Sequence, residues 1–329
     1  MIPPDIVFER FLNERHARGE RRYAHIVGRL AVEDLAPDHL HRWFADWMNQ
    51  QLSDIGVNST GGVTLPPLRF EMVRVRDHEA SAHVFESDEY TFIVMTHPMF
   101  DEMLDLSRLV VKTNWALMTL QIAPLAKPEE IAQLLLMMQF SFVGSHEYSH
   151  LVRQHLSDNP PHAVEIGQSL TQAQEFDADG YALYHELTYF FHGGGRSLTA
   201  QLLKISNNRV LEDALLYCFL LSTMIQFCAR WAGRIHVESD LAAEHPPVPM
   251  RIQRALLVTE MWCREVGEIS TSWMTDGTSS RYFQMAANIF PADKRASWGQ
   301  QIAWLQTEEG EKYQEQIQTS AERLRTGKG

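Results

Sequence analysis

The segment His146-Glu147-Tyr148-Ser149-His150 holds residues whose types and spacing suit a chemical site. In a helix, residues four apart lie on one face a turn apart, so His146 and His150 can bind a single metal ion. Glu147 lies about a hundred degrees round the helix, within reach of a water bound to that ion. Zinc lowers the pKa of such a water towards neutrality, and a neighbouring carboxylate can accept its proton. The segment therefore predicts a hydrolytic zinc site with Glu147 as the general base.

The alternative interpretation places both histidines on a packed or solvated helix face, because this motif arises by chance in about one such sequence in twenty. The preceding run, residues 131–140, is too apolar for a surface helix. We therefore expect the histidines on a largely buried element. Buried imidazoles and carboxylates need partners, and a metal ion supplies them.

A catalytic zinc usually has three protein ligands and one open position, so a third ligand is needed. The segment Glu175-Phe176-Asp177-Ala178-Asp179 lies in the next predicted helix, where Glu175 and Asp179 are one turn apart and can both face the histidines. We predict that Glu175 binds the metal and that Asp179 accepts the other ring proton of a ligand histidine. The segment could instead be an acidic first turn favoured by the helix dipole. Other candidates for the third ligand are His162, Glu165 and Asp177, although Asp177 is expected to point to another face.

The elements that position these residues follow from the pattern of apolar residues. Three early strands are predicted at 69–75, 80–85 and 90–96, the last two joined as a hairpin. Helical spacing then predicts helices at 38–52, 100–120, 128–156, 168–190, 210–231, 250–266 and 308–325. Strands that precede a run of helices favour an α+β domain with a small sheet at one side of a helical core.

Composition and charge restrict the partners. The chain has 29 Lys and Arg against 42 Asp and Glu, a formal net charge of -13 without a polybasic run, which argues against nucleic acid or anionic membrane as partners. Three cysteines without a Cys-x-x-Cys pair fit a reducing cytoplasm, and the charged first twenty residues lack an export signal. The most apolar segment, 214–229, is shorter than the roughly 20 residues that cross a bilayer. We therefore predict a cytoplasmic protein without a membrane span.

Three segments in the same order resemble the gluzincin zinc metallopeptidases of the M48 clan, which includes the CAAX proteases and the HtpX-type heat-shock proteases. The first is 146–150, the second is 175–179, which resembles the clan's Glu-x-x-Ala-Asp helix, and the third is 245–252, which resembles its His-Pro-Pro followed by Arg-Ile. The resemblance covers roughly residues 69–266. It implies zinc ligands at His146, His150 and Glu175, a base at Glu147 and a supporting carboxylate at Asp179. It also implies that His245 and Arg251 lie near the open coordination position.

The resemblance further implies a mainly helical α+β fold of the zincin type, with a small β-sheet and an active-site helix. Residues 66–266 would form the zinc metallopeptidase core, between an N-terminal helical layer at 1–65 and a C-terminal helical cap at 267–329. No segment matches the transmembrane helices of the clan's membrane members, so a prenylated substrate is not expected.

His245 is followed by Pro246, Pro247 and Pro249, which stiffen the backbone before the helix that carries Arg251. This suits a loop over the open metal position. There His245 would either cap the zinc at rest or donate a hydrogen bond to the oxyanion during reaction. The alternative is a proline-rich start of a helix, with His245 in solvent.

The expected function is a zinc-dependent endopeptidase that binds a protein or peptide substrate in extended form along the strand edge at 80–85. A weaker resemblance to phage-exclusion metallopeptidases of the Lit type suggests a dedicated protease that cuts one host protein. A third alternative is a non-catalytic, zinc-containing scaffold or regulatory protein. Glu147 argues against the scaffold because a purely structural metal site needs no base. The sequence carries no signal for an oligomeric state.

Overall fold

The computed structural model describes residues 2–58, 66–87, 89–113, 126–156, 170–230, 245–267, 289–290 and 292–326. These residues are α+β and mostly helical with a small sheet, as predicted, and the sheet has four strands rather than the three expected. Contacts divide the chain into two units, Met1–Asp105 and Leu106–Gly329. The boundary between these two units does not coincide with the predicted boundaries at 65/66 and 266/267. The three predicted segments therefore stay predictions.

The first unit contains the sheet and two helices, α1 (Pro4–Ala17) and α2 (Leu40–Asn58). Its strands are β1 (Ile26–Arg29), β2 (Leu68–Val75), β3 (Ala82–Glu86) and β4 (Thr91–Thr96). They lie in the order β1-β2-β4-β3, with β2 and β4 parallel and the other two pairs antiparallel. The hairpin of β3 and β4 was predicted, and β3 is an edge strand. Strand β1 was not predicted, because its four residues show too little alternation.

Aromatic packing holds α1 on the sheet. Phe8 lies edge-on to Phe92 of β4 at 5.2 Å between ring centroids, and Phe11 stacks on Phe85 of β3 at 5.5 Å. All four rings are buried, so the apolar face of α1 covers the sheet. Asn49 of α2 joins the other helix to β2, because its side chain both donates to and accepts from the backbone of Phe70.

The second unit is helical. Its elements include α4 (Pro128–Val152), α5 (Leu170–His192), α6 (Gly194–Leu203), α7 (Asn208–Arg230) and α8 (Val248–Trp262). Helices α9 (Ala292–Leu305) and α10 (Glu308–Thr326) follow, and α3 (His97–Lys112) crosses the limit between the units. Most predicted helices end within about four residues of their expected limits, but α2 continues six residues beyond 52 and α3 ends at Lys112 rather than 120.

Helix α4 is the centre of the second unit, because it packs against both α5 and α7. Every residue from 134 to 151 is buried except Glu147, which is partly exposed. Helices α4 and α5 are antiparallel, since Ser145 of α4 contacts Glu186 and Ser149 contacts Ala178 of α5. Helix α5 is covered in turn by α8 and α10.

Helix α7 contains the apolar segment noted in the sequence. Residues Asn208–Ala229 are long and apolar enough to cross a membrane by length and composition, and they are the one such helix in the described part of the chain. Of their most apolar window, 78% is buried inside the protein, against α4 and α8 among others. Packing therefore accounts for the apolar composition of α7. The cellular location stays a prediction.

The close approach of α4 and α5 generates a first prediction. Ala178 is fully buried, and its carbonyl oxygen lies 3.3 Å from the Ser149 hydroxyl of α4. Ala178→Leu should lower the free energy of unfolding by about 1–3 kcal/mol, because extra methylenes in a packed interface force the helices apart. Thr171→Leu, an exposed position on the same helix, should change it by less than about 0.5 kcal/mol. Urea unfolding followed by circular dichroism measures both, and equal midpoints would contradict the packing argument.

Candidate metal centre

Two histidines of α4 and one glutamate of α5 converge at the middle of the helix pair. His146 and His150 are each 7% exposed, and their Nε2 atoms lie 3.2 Å apart. Glu175 places Oε2 at 3.0 Å from Nε2 of His146 and Oε1 at 3.4 Å from Nε2 of His150. One ligand atom from each of the three residues lies within 4.8 Å of the others. The structure thus brings together the three residues predicted as ligands.

The donor set fits a divalent cation. Burial disfavours a charged His146, but Asp179 and Glu175 outweigh burial and raise its pKa to about 10. Burial lowers the pKa of His150 to about 3, so this imidazole is neutral. Burial also disfavours ionised Glu175, yet contacts with His146 and His245 hold its pKa well below the usual range. A positive charge at His146 is therefore favoured beside the ionised carboxylates. A metal cation bound there would supply the same positive charge.

Asp179 and Arg251 support His146 from the other side of its ring. Nδ1 of His146 lies 3.0 Å from Oδ1 of Asp179, which is fully buried. Arg251 donates two hydrogen bonds of 2.7 Å to the two oxygens of this carboxylate. Burial raises the pKa of Asp179, but the Arg251 guanidinium and His146 outweigh it and lower that pKa to about 2. Asp179 lies beside the ring nitrogen of His146 that faces away from Glu175, and its role as acceptor of that ring proton stays a prediction.

Arg251 was predicted beside the open metal position. In the structure it is buried, with its guanidinium engaged by Asp179 and stacked over the ring of Phe227 at 4.2 Å. Both planar contacts suit a guanidinium, which can bind a carboxylate through two bonds and stack on an aromatic face. The contacts of Arg251 are therefore those of a support for Asp179.

His245 lies at the exposed edge of the cluster. Its Nδ1 is 2.9 Å from Oε2 of Glu175, the same oxygen that His146 contacts, and its side chain is 47% exposed. His245 therefore contacts the carboxylate of the predicted ligand Glu175, although much of its side chain is exposed to solvent. Residues 231–244, which precede it, lie outside the described ranges.

Of the other candidate ligands, Asp177 lies in the described part of the chain, and it does not join the cluster. His162 and Glu165 lie outside the described residues. Asp177 is buried and turned to another side of α5, where its Oδ2 lies 3.5 Å from His155 and 3.6 Å from Arg153. This agrees with the expected orientation of Asp177, since residues two apart in a helix do not share a face.

Two buried polar residues beside the cluster, His155 and Glu186, were not predicted from the sequence. His155 lies just beyond the end of α4, with Nδ1 at 3.2 Å from Nδ1 of His150. Glu186 accepts a hydrogen bond of 2.6 Å from Ser145, and burial raises its pKa to about 7. Glu186 could have been found, because it follows Glu175 and Asp179 at intervals of eleven and seven residues, which places all three on one helix face. His155 follows a chain reversal that helical spacing does not reveal.

Comparisons with known proteins add no relative. No protein-family model, no curated protein and no solved structure matches this chain.

The buried carboxyl of Glu186 generates a pH prediction. Its pKa rises from about 4.3 in an unfolded chain to about 7 in the folded protein. Folding therefore takes up a proton within this window, and wild-type stability falls as the pH rises through it. Glu186→Gln cannot titrate, so relative to wild type the variant should gain about 2–3 kcal/mol between pH 5 and pH 8.

Urea unfolding at several pH values, with a chelator present, measures this difference. Glu260→Gln, an exposed position on α8, is the matched control and should follow the wild-type profile. Parallel profiles for wild type and Glu186→Gln would show that burial does not hold the Glu186 proton.

Proposed function

We propose that this chain is a zinc-dependent endopeptidase with a gluzincin-like centre, as the resemblance to the M48 clan implies. His146, His150 and Glu175 would hold the metal, and Glu147 would act as the general base. One observation carries the proposal. Three donor atoms converge from two buried helices, and the single partly exposed position in residues 134–151 is the glutamate next to the first histidine.

Zinc is the metal that this donor set favours. Two imidazole nitrogens and one carboxylate oxygen form a known ligand set of catalytic zinc sites, in which the fourth position stays open. Calcium and magnesium prefer oxygen ligands, which the cluster supplies from one residue only. Burial of both imidazoles also keeps them away from competing water.

Each residue has a chemical task in this proposal. When bound, zinc would act as a Lewis acid that lowers the pKa of a water molecule and polarises the substrate carbonyl. Glu147 accepts the proton from the attacking water and passes it to the leaving amine, a transfer that requires a carboxylate reaching the open side of the helix. Asp179, 3.0 Å from Nδ1 of His146, would accept the Nδ1 proton so that Nε2 faces the metal, and Arg251 keeps Asp179 ionised and oriented.

His245 is the candidate for a contact on the substrate side. It lies at the exposed edge and touches the Glu175 carboxylate, so it can cap the metal at rest or donate a hydrogen bond to the oxyanion. A protein or peptide would be the substrate, bound in extended form. Strand β3 is an edge strand of the sheet among the described residues of the first unit, and pairing of a substrate strand with 80–85 stays a prediction.

The first prediction from this proposal concerns the metal. Purified protein should bind about one zinc per chain. His146→Ala, His150→Ala and Glu175→Ala should each abolish tight binding, while Asp179→Ala should weaken it about 10–100-fold because Asp179 only orients a ligand.

Metal analysis and competition with a chromophoric chelator give the stoichiometry and the affinity. His185→Ala is the control, because this histidine of α5 contacts Tyr181 and Tyr148 rather than the cluster. A wild-type protein without metal after gentle purification and zinc reconstitution would contradict the proposal. Tighter binding of another divalent metal would contradict the choice of zinc.

The second prediction separates the peptidase from a scaffold. Glu147→Gln keeps the size of the side chain but cannot take a proton, so the variant should fold and bind zinc as wild type does, yet lose cleavage by at least about 100-fold. New protein N-termini in cells that produce wild type should be missing in cells that produce the variant.

The same comparison distinguishes the alternatives. Identical N-terminal profiles, with the same partners recovered from both forms, would favour the non-catalytic scaffold. A single cut in one host protein would favour a dedicated protease like those of the Lit type.

A further inference from the structure

Among the described residues, Nδ1 of His146 lies beside the Asp179 carboxylate, whereas Nδ1 of His150 lies beside His155. We propose that His155, held by Asp177, is a positioning residue that orients His150 and fixes its tautomer for metal binding. The inference rests on the proposed metal centre, which it extends beyond the predicted ligands and Asp179.

The three side chains form a buried series. Nδ1 of His155 lies 3.2 Å from Nδ1 of His150, with hydrogen-bonding geometry, and the other ring nitrogen, Nε2, lies 3.5 Å from Oδ2 of Asp177. His150, His155 and Asp177 are 7%, 5% and 3% exposed. Water has little access to these groups. Nε2 of His155 and Oδ2 of Asp177 are both buried without a hydrogen bond and lie 3.5 Å apart, so each is the other's nearby polar group.

The arrangement allows one consistent set of protons. A neutral His150 that offers the Nε2 lone pair to a metal must carry its proton on Nδ1. That proton faces Nδ1 of His155, which must then be an acceptor, so the proton of His155 lies on Nε2. Nε2 of His155 in turn faces an Asp177 oxygen, which is an acceptor. The His150–His155 contact thus pairs a donor with an acceptor, and a proton on Nε2 of His155 would point towards Asp177, which is 3.5 Å away.

The backbone reverses direction at the end of α4 and places His155 beside His150. Helix α4 ends in a pair of hydrogen bonds, from the N–H of His155 to the carbonyl of His150 and from the N–H of Gln154 to the carbonyl of Leu151. Gln154 has a φ of 58°, in the left-handed region that a non-glycine residue adopts at a cost of about 1 kcal/mol or more. Gln174 of α5 also donates a hydrogen bond of 3.0 Å to the His155 carbonyl. The reversed chain is therefore tied to both helices.

The geometry of α5 explains why a second histidine is needed. Asp179 shares a face with Glu175 and reaches His146 directly, at 3.0 Å. Asp177 is two residues away, on another side of the helix, and has no direct contact with His150 in the described contacts. The ring of His155 spans this gap. Each ligand histidine is then linked to its own carboxylate of α5, one directly and the other through an imidazole.

The test compares zinc affinities of the full-length chain by chelator competition. His155→Leu fills the space without a ring nitrogen and should weaken zinc binding about 10–100-fold. His155→Gln keeps an acceptor for His150 and a donor for Asp177, so it should recover most of the loss. Asp177→Ala should weaken binding several-fold, although Asp177 is not a ligand. His185→Leu, on α5 but away from the cluster, is the matched control and should bind as wild type does.

A measurement on unchanged protein keeps the inference testable if a variant folds poorly. Nitrogen-15 shifts of labelled histidines distinguish the tautomers, and in zinc-loaded wild type His155 should carry its single proton on Nε2. A His155 proton on Nδ1, or on both nitrogens, would overturn the inference. Wild-type affinity in both His155→Leu and Asp177→Ala would also overturn it, while tight zinc binding by wild type would leave the proposed metal centre standing. Failure of the wild type itself to bind zinc would instead refute the proposed function.

Discussion

The arrangement of the second unit depends on the packing of α4 against α5. These two helices place buried imidazoles opposite buried carboxylates, and neither kind of group is stable there alone, because an unpaired buried charge costs several kcal/mol. His146 lies between Glu175 and Asp179, each 3.0 Å from one of its ring nitrogens. A cation at His146 therefore balances the interface, and this requirement makes the helix pair a natural site for a metal ion.

Residues around the cluster orient the side chains within it. Arg251 of α8 neutralises Asp179, so the helix that covers α5 also contributes to the orientation of His146. The chain reversal after α4 brings His155 to His150, and Gln174 of α5 ties the reversed backbone down. An imidazole ligand held at both nitrogens has little freedom to rotate, and such preorganisation is what a catalytic metal site requires of its surroundings.

The seam between α4 and α5 also contains polar contacts that no metal explains. Ser149 reaches the Ala178 carbonyl and Ser145 reaches Glu186, so polar groups continue along the contact beyond the histidines. The buried carboxyl of Glu186 lowers the stability of the fold near neutral pH. Its directional hydrogen bonds also disfavour other registers of α4 and α5. A shift of one residue between α4 and α5 would separate His146 from Glu175. The geometry of the cluster therefore depends on the register of the two helices.

The sequence by itself determined the strand hairpin, the main helices, the face shared by His146 and His150, and the pairing of Glu175 with Asp179. These follow from local periodicity, which fixes the faces of helices and strands whatever surrounds them. The tertiary structure decided the order of the sheet, the pairing of the short β1, the engagement of Arg251 by Asp179, and the recruitment of His155. Arg251 and Asp179 are 72 residues apart, and only helix packing sets their contact. The contact of His155 with His150 depends on Gln154, whose backbone adopts a left-handed conformation. No glycine marks this position in the sequence, so the contacts formed after the chain reversal must stabilise it.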